Sequence, residues 1–421
     1  MFQSAIWTMA FRPMYLFAAI YGIVSILLWG FGFNGTTALP NYFWHANEMI
    51  WGYAGAIIVG FLHTATPNWT GLPAKNGQFL ILLTALWLVS RITIFFTQTT
   101  VISGICGVLF FWIAAFAMLQ MLMAKKSKHN YIAAFALFIF GLLHLIFHLF
   151  VYWQKYDLLL NGLLAGLILV SGFIGFIGSR VIPFFTARRL NIPQVQNHPK
   201  LILSALLLPL CAALLIIFQV ALPVSGVLCC AAGVLGLVQV VRWLNKAIFA
   251  EPMLWILFAG YTLTAIGLIC LGFYFMSFPI AVSVGVHFIA VGGIGGLTVG
   301  MMTRTAAGHT GRAIYPAPKG LPVAFVLMIL ATLVRVGAVF VDTAYQHFIA
   351  VSAVLFALSL AIFVFRYAPW LTQARADSKM GIISGSLKLM PRYPTCLANP
   401  YPSSPQRTNL TTHSRLFQSY R

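Results

Sequence analysis

The sequence predicts an all-α fold, a polytopic membrane helix bundle with about twelve transmembrane helices, on three observations. Of its 421 residues, 61% are hydrophobic and 7% charged, against roughly 25% charged in soluble domains. Apolar runs of about 20 residues recur along the chain, each long enough to cross a ~30 Å hydrocarbon core as a helix. None of these runs shows the alternating ~10-residue segments of a membrane β-barrel.

The runs fall near 12–33, 47–65, 78–97, 100–123, 131–153, 157–182, 201–220, 222–244, 253–275, 279–303, 321–341 and 346–367. The first opens at FRP, with Pro13 in the first helical turn, where a missing N–H is harmless. No charged leader or small-residue cleavage site precedes it, so it is expected to remain as an anchor. The second begins WHANEMIWG and carries His45 and Glu48 at its start and His63 near its end. The third holds Arg91 inside an apolar stretch. Met118, Met121 and Met123 of the fourth are expected to pack rather than ligate.

The fifth run contains GLLHLIFHLF, which places His144 and His148 one turn apart on one helix face. The sixth ends in SGFIGFIGSRVIPFFTARR. There Gly172, Gly175 and Gly178 suit close packing, Pro183 is expected to bend or end the helix, and Arg180, Arg188 and Arg189 mark an interface. Cys229 and Cys230 lie in the eighth run. The six cysteines form no C-x-x-C pair, so neither a disulfide framework nor a thiolate cluster is expected.

From His287 to Arg312 the tenth run and the loop after it read HFIAVGGIGGLTVGMMTRTAAGHTGR. Gly292, Gly296 and Gly300 strip one face of side chains, for another helix first and a flat macrocycle second. His309 and Arg312 follow between glycines, in a turn suited to an anion or simply to closing the loop. The eleventh run carries Arg335 and the twelfth starts at His347. Residues 1–377 are expected to form one membrane domain. Residues 378–421 contain no acidic residue and are rich in Pro and Ser, which predicts a mobile basic cytoplasmic tail.

Charge supports this threading. With Met1 inside, one set of loops carries Lys75, Lys125, Lys126, Lys128, Arg188, Arg189, Lys200, Arg242, Lys246, Arg312 and Lys319, and the other almost only Lys155. Both termini are therefore expected to be cytoplasmic. The formal net charge of +20 is accounted for by topology and anionic lipid, with no basic helix or aromatic reader for nucleic acid.

Threading also gives each polar residue a depth. His45, His144, His148, His287 and His347 fall in one half of the bilayer, while His63, His129, His198 and His309 fall toward the other. Arg91 and Arg335 lie within apolar segments of the first half. Intramembrane ionisable groups cost roughly 2.5–3.5 kcal/mol on insertion scales and so mark partners or function. A buried arginine suits a carboxylate, Glu48 or a haem propionate. Neutral imidazoles in a dry layer suit haem iron, copper or zinc; interhelical hydrogen bonding and proton relay are the other readings.

The segments FRPMYLFAAIYG, WHANEMIWGYAGAIIVGFLHTATPNWTG, the His144/His148 helix, GSRVIPFFTARR and GGLTVGMMTRTAAGHTGR together resemble the NnrS family of bacterial membrane proteins, from about Phe11 to Gly381. The resemblance implies a multi-pass protein of the bacterial inner membrane, containing haem and copper. It also implies a link to denitrification and to protection against nitric oxide and nitrosative stress, with nitric oxide or another haem-ligand gas as its small partner. The positions that carry over are His45, Glu48, His63, His144, His148, His287, His309 and Arg312. Depth then suggests haem b near His144, His148 and His287, with Arg91 and Arg335 as cofactor-binding cations, and copper near His45 or His347, with Glu48, His63 and His309 as further metal candidates. Asn47 stands where the family pattern leads one to expect a second histidine.

Two other functions compete. A secondary transporter is compatible with twelve spans, but the halves show no convincing repeat and no carboxylate sits at the midplane. A nitric oxide reductase-like enzyme would need an electron input. The chain has no C-x-x-C-H motif, so the donor would be a quinol or another protein. Whether the protein is an enzyme is left open by the sequence.

Overall fold

The computed structural model describes residues 4–377; the expected tail at 378–421 lies outside them. Twelve apolar helices follow one another in the predicted order. They are α1 (Phe11–Gly30), α2 (Tyr42–Thr70), α3 (Gln78–Thr93), α4 (Thr100–Ala124), α5 (Tyr131–Tyr152) and α6 (Tyr156–Leu190), then α7 (Pro199–Ile217), α8 (Leu222–Trp243), α9 (Pro252–Phe275), α10 (Val282–His309), α11 (Leu321–Gly337) and α12 (Tyr345–Thr372). Among the described residues, eleven are long and apolar enough to cross a membrane. The remaining one, α3, has 16 residues and so spans only about 24 Å.

Helix α3 stops at Thr93 rather than continuing to 97 because the chain turns immediately after Arg91 enters an ion pair with Glu48 on α2. Helix α6 departs from expectation in the opposite sense. It runs through Pro183 to Leu190, and Asn191, with φ 53°, closes it. A proline leaves the carbonyl four residues before it without a helical partner. That carbonyl, on Ser179, accepts from Asn197 Nδ2 at 2.6 Å, so the helix continues at little cost.

Two helices are not uniformly α. The turn Glu48–Ala54 of α2 and the turn Phe288–Gly295 of α10 are π-helical. They face one another, and Tyr53 Oη and Thr298 Oγ1 are hydrogen-bonded at 2.7 Å between the two helices.

Sequential helices pack as antiparallel pairs, α4 with α5, α6 with α7, α8 with α9 and α11 with α12, and the first helix packs along the last. Arg12 fixes that closure. Its Nη1 donates to the carbonyls of Leu371 at 2.9 Å and Gln373 at 2.7 Å, satisfying orphan groups at the C-terminal end of α12. The glycine face of α10 is used for helix packing: a Cβ at Gly292 would meet Leu263, one at Gly296 lies 3.6 Å from Gly260 Cα, and one at Gly300 would meet Ile256. Gly172 and Gly175 bring α6 against Leu206 and Ala205 of α7. The structure thus gives both glycine stripes a packing role.

Candidate functional site

Two sets of buried polar groups gather the histidines His45, His144, His148 and His287. The first is built by α1 to α5. Glu48 is fully buried and receives Arg91 Nη1 on both carboxylate oxygens at 2.8 Å. Tyr21 Oη donates to the same carboxylate, Asn47 Nδ2 donates at 2.5 Å, and Arg91 Nη2 donates to Ser90 Oγ at 2.7 Å. A buried charge needs such partners, because each unmatched ion costs several kcal/mol. Trp87 Nε1 donates to the Gly52 carbonyl at 3.0 Å and pins the π turn beside this pair.

His144 and His148 lie on the inward face of α5, and both are buried. Their Nε2 atoms are 3.1 Å apart and their rings are perpendicular, with centroids 4.6 Å apart. Two features hold them in this pose. Gly104 and Gly107 of α4 have no side chains, so the imidazoles occupy that space; a Cβ at Gly104 would approach His148 Cγ to 2.8 Å. The indole of Trp51 lies against His144 at 5.0 Å between centroids, with Phe111 at 5.9 Å. His144 Nδ1 is buried with no hydrogen-bond partner.

The second set comprises His45 of α2, His287 of α10 and Arg335 of α11. The Arg335 guanidinium acts electrostatically on both imidazoles, and the His45 ring acts on that of His287. The His45 ring stacks on Trp29 at 4.9 Å and 10°, and its Nδ1 is buried without a partner. His287 Nδ1 donates to the Ser283 carbonyl at 2.7 Å, which leaves Nε2 as its bare nitrogen. Such a backbone bond is the usual support of a ligating histidine. Arg335 Nη2 donates to Tyr345 Oη at 3.3 Å, whereas its buried Nη1 has no partner.

Other sequence candidates stand apart. His63 bonds the Ala114 carbonyl through Nε2 at 3.0 Å and packs on Phe79. His309 packs on Phe11, beside a cluster in which Arg375 donates to its carbonyl at 2.9 Å and Arg312 lies over Trp370 at 4.8 Å. His347 is exposed at the start of α12. The five histidines that the threading groups divide into a pair, a second pair and an exposed residue. Among the described residues, no three His, Cys, Asp or Glu side chains converge as a metal cluster.

Sequence reasoning missed Tyr21 and Trp51 as neighbours of the buried polar set, since nothing in their spacing points there, and it noted Asn47 as a departure from the family pattern rather than as a donor to the adjacent Glu48. It also missed Arg304, which is buried beneath Phe185 at 4.1 Å and donates to Met253 O and Tyr315 Oη. An arginine inside an apolar run was the available signal.

A family model described as NnrS protein matches residues 5–375, and the chain belongs to that family. No curated protein matches it by sequence.

Proposed function

We propose that this member of the NnrS family is a haem- and copper-binding protein of the bacterial inner membrane that protects against nitric oxide and nitrosative stress and is linked to denitrification. Its family membership supports a nitric-oxide-response membrane protein, and the helices support a multi-pass one. The basic loops face the cytoplasm in this reading, with both termini on that side.

The observation that carries the cofactor assignment is the His144/His148 pair. Imidazole nitrogens at about 2.0–2.1 Å from one metal ion stand about 2.9 Å apart at a right angle and about 3.3 Å apart at a tetrahedral angle. The two Nε2 atoms, 3.1 Å apart, lie between these limits. With the two Nε2 atoms this close, and with Trp51, Phe111 and the two α4 glycines packed against the rings, the space between the imidazoles suits a single ion and no macrocycle. Copper is accordingly assigned to His144 and His148. Haem b is assigned to His45 and His287, where imidazoles from different helices present unpartnered nitrogens and Arg335 Nη1 is free to bind a propionate. A haem held by both imidazoles would supply electron transfer, and it would bind nitric oxide only where one of the two imidazoles gave up its position. The protein supplies the apolar enclosure and the tautomers.

The test is haem and copper content per chain, with oxidised and reduced absorption spectra with and without nitric oxide. Wild type is compared with His144→Ala/His148→Ala and His45→Ala/His287→Ala. The first variant is expected to lose copper and keep the haem bands; the second is expected to lose the haem bands. Unchanged contents in both variants would refute the assignment. Survival of cells carrying each variant under nitric oxide tests protection.

A further inference from the structure

The imidazole pair is not sealed on all sides. A cavity of about 430 Å³ reaches His148 from the end of the bundle opposite the basic loops, and Thr97, Thr100, Val101, Gln154 and Tyr156 are among its lining residues. It lies between the start of α4, the end of α5 and the start of α6. His148, 8% exposed, is the member of the pair that lines it. His144 is fully buried behind.

We propose that this cavity is a binding site for the head group of a membrane-soluble quinol, with Thr100 Oγ1 as an acceptor for a ring hydroxyl and His148 Nδ1–H as a donor to a ring oxygen. Size is the first argument. A diatomic gas needs little more than the ~30 Å³ share of one water molecule, so a cavity more than ten times larger is built for something else. Ligand pockets for small molecules begin at about 300 Å³.

Chemistry is the second argument. Val101 and Val151 give the lining apolar faces, while Thr97, Thr100, Gln154 and Tyr156 bring hydroxyl and amide groups to it. Thr100 Oγ1 donates to the Thr97 carbonyl at 3.0 Å and keeps lone pairs for a second partner. The His148 Nε2 is taken by His144, which leaves Nδ1 as the nitrogen that can serve a cavity ligand. An acyl chain would bury these groups without replacing their hydrogen bonds, which is costly. A flat ring carrying hydroxyls in place of a methylene chain satisfies both kinds of lining.

Location is the third argument. Phe96, Tyr152, Trp153 and Tyr156 are exposed around the same helix ends. Exposed aromatic side chains at helix ends mark the membrane–water interface. The opening is therefore at the depth where an amphipathic quinol places its head group, with its tail free to remain in lipid. A water-soluble solute gains nothing from an aromatic rim.

The binding proposal does not depend on which metal the histidine pair holds. The experiment measures equilibrium binding of a short-tailed benzoquinol to the full-length protein in nanodiscs, alongside its dimethyl ether. Val101→Trp fills the cavity, Thr97→Trp obstructs its mouth, and Val323→Trp places the same indole on an exposed position of α11 as control. Saturable binding of one quinol per chain is expected, weakened at least tenfold by Val101→Trp or Thr97→Trp and unchanged by Val323→Trp. The dimethyl ether, unable to donate, is expected to bind at least tenfold more weakly than the quinol. Non-saturable partitioning, equal effects of all three tryptophans, or equal binding of the ether would overturn the proposal. Copper and haem contents measured on the same samples report folding, so loss of quinol binding with retained metal is separable from failure of the cofactor reading.

Discussion

Replacing Arg91 by Met removes one half of an ion pair whose members are 3% and 0% exposed. At 2.8 Å and an effective dielectric of about 20, the attraction is about 6 kcal/mol. Part of this is recovered in the variant because Tyr21 and Asn47 still donate to Glu48. The expected cost is therefore about 3–5 kcal/mol, the range for leaving one buried charge alone. In the double variant Glu48→Gln/Arg91→Met no net charge is left buried, and the cost should fall well below the sum of the singles. Denaturant unfolding of wild type, both single variants and the double variant in the same detergent gives the cycle directly. A coupling energy of at least about 2 kcal/mol is expected. Additive costs within about 0.5 kcal/mol would refute the claim that these two groups depend on one another.

Gly104→Ala and Gly107→Ala should displace the imidazoles, lowering bound copper and destabilising by about 1–3 kcal/mol, as read by metal analysis and unfolding. Arg12→Gln should cost about 1.5–3 kcal/mol through its charged hydrogen bonds to the end of α12, with haem and copper contents unchanged. His63→Ala should lower stability by about 1–3 kcal/mol by removing a buried ring together with its hydrogen bond to the Ala114 carbonyl, and His347→Ala should leave it unaltered, neither changing metal content. Asn197→Ala should destabilise through the Ser179 carbonyl released by Pro183, by about 1–3 kcal/mol, measurable in the same unfolding assay.

The helices were legible because membrane insertion writes itself into the sequence as uninterrupted apolar runs, and nearly every run found has its helix. Pairing was partly legible: a buried arginine needs an anion, and Glu48 was a named candidate for that layer. Lateral position was not legible. The threading groups His287 with His144 in one half of the bilayer, yet His287 joins His45, because depth follows from counting residues along a helix and neighbourhood follows from how helices pack. The end of α6 was misjudged for a related reason. A proline predicts a break only when nothing else satisfies the carbonyl it releases, and Asn197, fourteen residues on, does so.

The π turns show what joins the two polar sets. Such a turn weakens local hydrogen bonding and persists only where surrounding contacts enforce it, so it tends to occur at functional positions. One begins at Glu48 itself and the other immediately after His287. The first is held by Trp87 on the Gly52 carbonyl and by the close approach of Gly52 to Arg91 and of Gly55 to Phe111. The second is held by Gly293 against Thr264 and by Gly295 against Met328 and Phe356. The Tyr53–Thr298 hydrogen bond then ties the helix of the first set to that of the second. A displacement of either turn alone must stretch this bond or carry the other turn with it. The helix that supplies Glu48 to the layer of the histidine pair, and also carries His45, is thereby positioned against the helix that supplies His287, and the two candidate centres share one mechanical frame.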